Sequence, residues 1–152
     1  GLYLEPDVTG EIIYDMRLAR GLVFKDVYLP GGPGGVDLAI SLALTEGGHN
    51  GIEVSLDRGR TWIAAFKDLV IRGDVVKYDL TKHVRGSNRF LLKFWSQNTS
   101  DKAILAMDSW TIMGTAESAE RSSRGGPRHG TENFCVLCPM MIRLGLFEGR
   151  CR

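Results

Sequence analysis

Ser55-Leu56-Asp57-Arg58-Gly59-Arg60-Thr61-Trp62 is the stretch that decides how the rest of the chain is read. Apolar residues lead into it through Ile52 and Val54 and out of it through Ile63 and Phe66, so it is expected to be a turn with a strand on either side. Asp57 has a carboxylate to accept hydrogen bonds from N–H groups of its own turn. Gly59 can take the positive φ that closes such a turn, and Trp62 has the area to cover it. The stretch speaks for a hairpin and names no chemistry.

Outward from it, the pattern stays short and β-like. Residues 11–16 and 22–29 are β-branched and aromatic segments that read as strands. Pro30-Gly31-Gly32-Pro33-Gly34-Gly35 supports neither strand nor helix, and it fits neither G-x-G-x-x-G nor a P-loop, so it reads as a plain loop. Residues 36–45 alternate apolar and small or polar side chains with a period of two, the mark of a half-buried strand. Glu46 to Gly51 is expected to turn the chain, with Asn50-Gly51 as the strongest turn signal. Further strands are expected over 61–66, 69–71, 75–78, 89–95 and 103–113. Between them, Asp79 or Thr81 can cap one helical turn that Gly86 can end. Short strands, close turn signals and no sustained helical period predict an all-β fold, an antiparallel β-sandwich.

Two resemblances add to this reading. Written as S-x-D-x-G-x-T-W, with Ser55, Asp57, Gly59, Thr61 and Trp62 in the fixed positions, the opening stretch resembles the Asp-box or BNR motif. That motif recurs through sialidase-type propellers and stands singly in β-sandwich modules of secreted proteins. The resemblance implies an extracellular, often glycan-related β protein in which the box is a folding element away from any active site. The segment from Tyr78 to Trp95, with its Asp79-Leu80-Thr81 turn and an alternating strand after Gly86, is similar to a pattern of galactose-binding-like, jelly-roll sandwiches. A propeller would repeat its box about every 40–50 residues. The sequence holds a single copy, and the sandwich is therefore preferred.

After Gly114 the character changes. Residues 116–130 are rich in Ser, Arg, Gly and Pro, and the end of the chain carries all three cysteines. The expected division is a sandwich domain over 5–115 and, over 116–152, a linker and poorly structured, irregular tail. The chain has 152 residues, room for one ordinary core. Its net charge of +1 supplies no field to draw nucleic acid, and no apolar run reaches the roughly 20 residues that span a bilayer. The segment from Gly1 to Pro6 lacks the charged and apolar regions of an export signal, which is expected to be absent from these residues.

Chemistry is expected on one strand. If Phe90, Leu92 and Phe94 point inward, Arg89, Lys93 and Trp95 point out, with Gln97 and Asn98 following. A flat indole beside cations and amides suits a sugar, whose C–H face wants an apolar ring and whose hydroxyls want donors and acceptors; the alternative is that Trp95 lies under a loop or against a neighbouring strand. Trp110 shares a register with Ile104, Ala106 and Ile112 and is expected in the core. Asp74, Asp79 and Asp108 read as solvated or capping carboxylates, with a structural calcium ion as the alternative and no other cofactor expected. His129, Cys135, Cys138 and Cys151 offer zinc-like ligand types, but a lone C-x-x-C equally fits a disulfide or free thiols. No catalytic signature such as G-x-S-x-G or H-E-x-x-H occurs. The expectation is a non-catalytic carbohydrate-binding or accessory module of an extracellular, cell-surface or periplasmic protein, with a polysaccharide or glycan as partner. The alternatives are a fragment of a sialidase-like glycoside hydrolase and a protein-binding adhesion or assembly module.

Overall fold

The computed structural model describes residues 9–30, 48–67, 77–98, 109–119 and 131–139. They form eight strands and one short helix: β1 (Thr9–Arg17), β2 (Leu22–Pro30), β3 (Gly48–Ser55), β4 (Ile63–Lys67), β5 (Lys77–Asp79), α1 (Thr81–Val84), β6 (Arg89–Asn98), β7 (Ser109–Ser118) and β8 (Glu132–Pro139). Two four-stranded sheets result, ordered β1-β6-β3-β4 and β5-β2-β7-β8, with every pairing antiparallel. The all-β sandwich expected from the sequence is the observed fold.

Alternation dictates the layers. Met16, Ile52, Val54, Phe90, Leu92 and Phe94 of the first sheet face Phe24, Val27, Leu29, Tyr78 and Ile112 of the second in one buried cluster. The rings of Phe24 and Phe90 meet edge to face across the interface at 5.0 Å between centroids, and Phe66 meets Tyr78 at 5.1 Å. Such edge-to-face pairs add about 0.5–1.5 kcal/mol to the gain from burial alone. Leu80 and Val84, both fully buried, close one end of the core from the link around α1.

That link differs from the expected cap: the N-cap of α1 is Leu80, which makes no side-chain cap hydrogen bond, and Asp79 instead closes a turn onto Thr81. Asp79 Oδ1 accepts the Thr81 N–H at 2.8 Å, and hydrogen bonds from Thr81, hydroxyl and then amide, hold the Asp79 carboxyl below its usual range. Thr81 Oγ1 accepts the N–H of Val27 at 3.0 Å, tying the turn to β2. Gly86 leaves the helical turn at φ 81°.

Three further expectations change. Asn50-Gly51 is no turn: both residues lie inside β3, and Asn50 is completely buried. Gly51 is there for space, since a Cβ would stand 2.5 Å from Trp95 Nε1 and 2.8 Å from the Phe66 carbonyl oxygen. Gly114 ends nothing, because β7 continues to Ser118. Its Cβ would overlap the Asp26 carbonyl oxygen, which the irregular register of β2 between Phe24 and Asp26 brings close. Nor are residues 132–139 an irregular tail. They form β8 against β7, and Phe134 packs its ring on Phe24 at 5.5 Å. The strand expected over 36–45 and the segment 69–71 lie outside the described residues. Among the described residues, no helix is long and apolar enough to cross a membrane.

Gly114→Ala is expected to lower stability in urea by about 2–3 kcal/mol, because backbone and not a mobile side chain blocks the methyl group. Gly21→Ala, at φ 86° in open space, is expected to lose about 1 kcal/mol through backbone conformation alone. Equal losses for the two variants would contradict the close approach at Gly114.

Candidate functional site

The outer face of the β1-β6-β3-β4 sheet carries the residues singled out in the sequence. β6 is flanked by β1 and β3, and its register sets Trp95 between Glu11 and Gly51, Lys93 between Ile13 and Glu53, and Gln97 between Thr9 and His49. Arg89, Lys93, Trp95 and Gln97 thus share the side of β6 opposite to buried Phe90, Leu92 and Phe94. Asn98 closes the strand, and its side chain lies outside what the structure describes.

The loop from Ser55 to Trp62 joins β3 to β4 as a hairpin, and its side chains close it. Ser55 Oγ donates to Asp57 Oδ1 and accepts the Gly59 N–H, both at 2.8 Å. Thr61 donates its amide to Asp57 Oδ1 at 2.9 Å and its hydroxyl to Oδ2 at 2.6 Å. Arg58 and Gly59 both take left-handed backbone, at φ 64° and 87°. Hydrogen bonds from the Thr61 hydroxyl first, and then from its amide, pull the Asp57 carboxyl down to about 2. The position of Gly59 lies close over Leu91 and Trp62, so the loop folds back onto the outer face of β6.

Lys93 is the anchor for that fold-back. Its ammonium pairs with Glu53 on β3, lies 3.9 Å from Glu11 on β1, and sits 4.1 Å above the Trp62 ring. Only 13% of the Lys93 side chain is exposed. A cation desolvated to that degree needs its carboxylates and its ring together. Arg89 is likewise engaged, donating through Nε and Nη2 to Asp15 at 2.7 and 2.9 Å, while Arg17 reaches the same carboxylate at 3.3 Å. Of the two cations expected beside the tryptophan, only Lys93 is its neighbour on this face; Arg89 lies six residues away along β6, and both are held by neighbouring strands.

Trp95 itself is half-buried. Its Nε1 and Cε2 edge lies over Gly51, where the missing side chain makes room, and Nε1 has no hydrogen-bond partner among the described residues. Exposed Glu11 and Gln97 lie beside it in the register. Glu11 and Glu53 stand on the two sides of Lys93, whose ammonium approaches both carboxylates.

Asp79 is used by its own turn, and Asp74, Asp108, His129 and Cys151 lie outside the described residues. Cys135 and Cys138 are carried by β8, and Trp110 lies in β7 opposite Cys138, with no side chain described for any of the three. Among the described residues no three His, Cys, Asp or Glu side chains gather as a metal site.

The sequence reading missed a depression of about 450 Å³ on the other sheet, lined by Asp26, Tyr28, Lys77, Thr115 and Asn133 among others. Lys77 lies 3.9 Å over the Tyr28 ring, and Asp26 accepts from Thr115 at 2.8 Å and pairs with Arg85 at 3.2 Å. Four strands contribute to it, and no local spacing announces it. Comparison with protein-family models, with curated proteins and with solved structures returns no match.

Two measurements check the hairpin. A carboxyl titration followed by NMR is expected to place Asp57 near 2. Since that folded value lies below the unfolded one of about 4, the loop's contribution is full above pH 4 and lost as pH falls through the folded value. Lys93→Ala is expected to lower stability by about 1–3 kcal/mol and to shift Trp62 emission to the red, because Glu53 loses its cation and the ring its cover. An unchanged midpoint and spectrum would deny Lys93 its anchoring role.

Proposed function

We propose that this domain is a non-catalytic glycan-binding module of an extracellular, cell-surface or periplasmic protein, and that it binds sugar on the outer face of β6 around Trp95. The observation that carries the reading is the placement of the indole. It lies over Gly51 and is flanked by Glu11, Gln97 and the Lys93–Glu53 pair, so an apolar ring and fixed polar groups share one sheet surface. Stacking on such a ring removes the C–H face of a pyranose from water, while carboxylate and amide groups take its hydroxyls. The Asp-box supports the same reading in a second way. A loop whose hydrogen bonds are satisfied internally can hold the β3–β4 hairpin rigid beside the ring, which limits the ordering cost of binding.

The test is affinity electrophoresis through gels containing individual polysaccharides, run with wild type, Trp95→Ala and Gln97→Ala. Wild type is expected to be retarded by at least one polymer. Trp95→Ala is expected to weaken that retardation about tenfold or more with the far-UV dichroism of the sandwich intact. No retardation of wild type by any polymer would end the glycan reading. Retardation lost in Tyr28→Ala and kept in Trp95→Ala would move the site to the depression on the other sheet.

A further inference from the structure

A groove of about 400 Å³ opens at one end of the sandwich, between the turn joining β1 to β2, the Ser55–Trp62 loop and the link from α1 to β6. Among the described lining residues the charged ones are Arg58 and Arg89, and none is a carboxylate. Leu22 and Leu56 give it an apolar wall, and Ser87 and Asn88 add polar groups. Leu56 is 50% exposed, a large apolar side chain left in water beside two guanidinium groups.

Three features point to an anion. Arg58 is the one described non-glycine residue at positive φ, a backbone conformation that is costly for any side chain with a Cβ and that glycine or asparagine would take more readily. It makes no hydrogen bond or ion pair with the described residues, so an unfavourable conformation carries a guanidinium with no partner. The left-handed backbone of Arg58 and Gly59 belongs to the closure of the loop, in which Ser55 Oγ accepts the Gly59 N–H, and the Arg58 side chain it carries lines the groove. Arg89 presents Nε and Nη2 to Asp15, which leaves its Nη1 donors unassigned. Finally, the nearby acids are already used: Asp15 is shared by Arg17 and Arg89, and Asp57 is filled by the donors of its own loop. Among the described residues the groove thus offers one unpaired guanidinium, Arg58, and the free edge of a second, Arg89, whose charge Asp15 already balances. Guanidinium groups bind planar or tetrahedral oxyanions through paired N–H donors.

We propose that this end groove binds the oxyanion of an acidic saccharide unit, a carboxylate or a sulfate, with Arg58 as the main contact, Arg89 as the second, and Leu56 and Leu22 against the sugar ring. The volume falls in the range of about 300–1,000 Å³ typical of ligand clefts. This site is separate in residues from the Trp95 face and extends the glycan reading to charged polymers.

The experiment uses three gels, containing polygalacturonate, dextran sulfate or neutral dextran, and four proteins: wild type, Arg58→Gly, Arg60→Ala and Trp95→Ala. Arg58→Gly removes the guanidinium and suits the left-handed backbone, so its thermal midpoint is expected to equal or exceed that of wild type. Retardation in at least one anionic gel is expected to fall about tenfold in Arg58→Gly. Arg60→Ala, in the same loop and outside the groove, is expected to match wild type. Whichever anionic gel loses retardation identifies carboxylate or sulfate as the recognised group. Wild-type retardation of Arg58→Gly in both anionic gels would overturn the proposal, as would equal loss in Arg60→Ala, which would mean unspecific charge attraction. A Trp95→Ala protein that loses neutral binding and keeps Arg58-dependent retardation confirms that the two sites are distinct. Failure at Trp95 alone leaves this groove standing.

Discussion

Phe90 on β6 meets Phe24 on β2 at the interface of the two sheets, and everything else in the sandwich follows from burying that contact. Once Phe90 is inside, a period of two carries Leu92 and Phe94 inside with it and sends Arg89, Lys93, Trp95 and Gln97 to the other face. A slip of one residue would bury two cations and expose three large apolar side chains, which no arrangement of partners would offset. The register of β6 therefore fixes the composition of the candidate binding face before any ligand is considered.

That face is then shaped by what the neighbouring strands bring to it. A lysine with 13% of its side chain exposed would be costly alone, yet β3 supplies Glu53, β1 supplies Glu11, and the β3–β4 hairpin supplies the Trp62 ring. The hairpin thereby has two attachments, an internal one through Asp57 and an external one through Lys93. With the first, Ser55 and Thr61 satisfy the Asp57 carboxylate while Ser55 Oγ also accepts the Gly59 N–H; with the second, the whole loop is pinned to the sheet. Trp95 profits from neither directly. Its place depends on Gly51, whose missing side chain lets the indole lie over β3. The same loop that braces the Trp95 face also projects Arg58 into the end groove, so one hairpin serves two surfaces.

Local chemistry was legible in the residues, and non-local chemistry was not. The Ser55–Thr61 loop closes through contacts within seven residues, and the Asp79-Thr81 turn within three, so side-chain type at fixed spacing was enough to foresee a turn at each. The outward direction of Lys93 and Arg89 was likewise foreseen from alternation. Their ion pairs were not, because Asp15, Glu11 and Glu53 reach them only across strands distant in sequence. Asn50-Gly51 misled for a related reason. The dipeptide has the backbone freedom of a turn, but its glycine answers to the bulk of Trp95, forty-four positions away. Strand β8 was hidden by the Ser- and Arg-rich stretch before it, and the depression around Tyr28 by its assembly from four strands.

The central claim is that the outer face of β6 is where this domain meets sugar. Its most direct test is a titration of the uniformly ¹⁵N-labelled domain with a retarding oligosaccharide, followed at the three tryptophan indole N–H resonances. The account predicts a saturable shift of the Trp95 indole signal, together with the amides of Glu11, Gly51 and Gln97. Saturable shifts confined to other parts of the chain, with the Trp95 indole and its cross-strand neighbours unmoved, would contradict it.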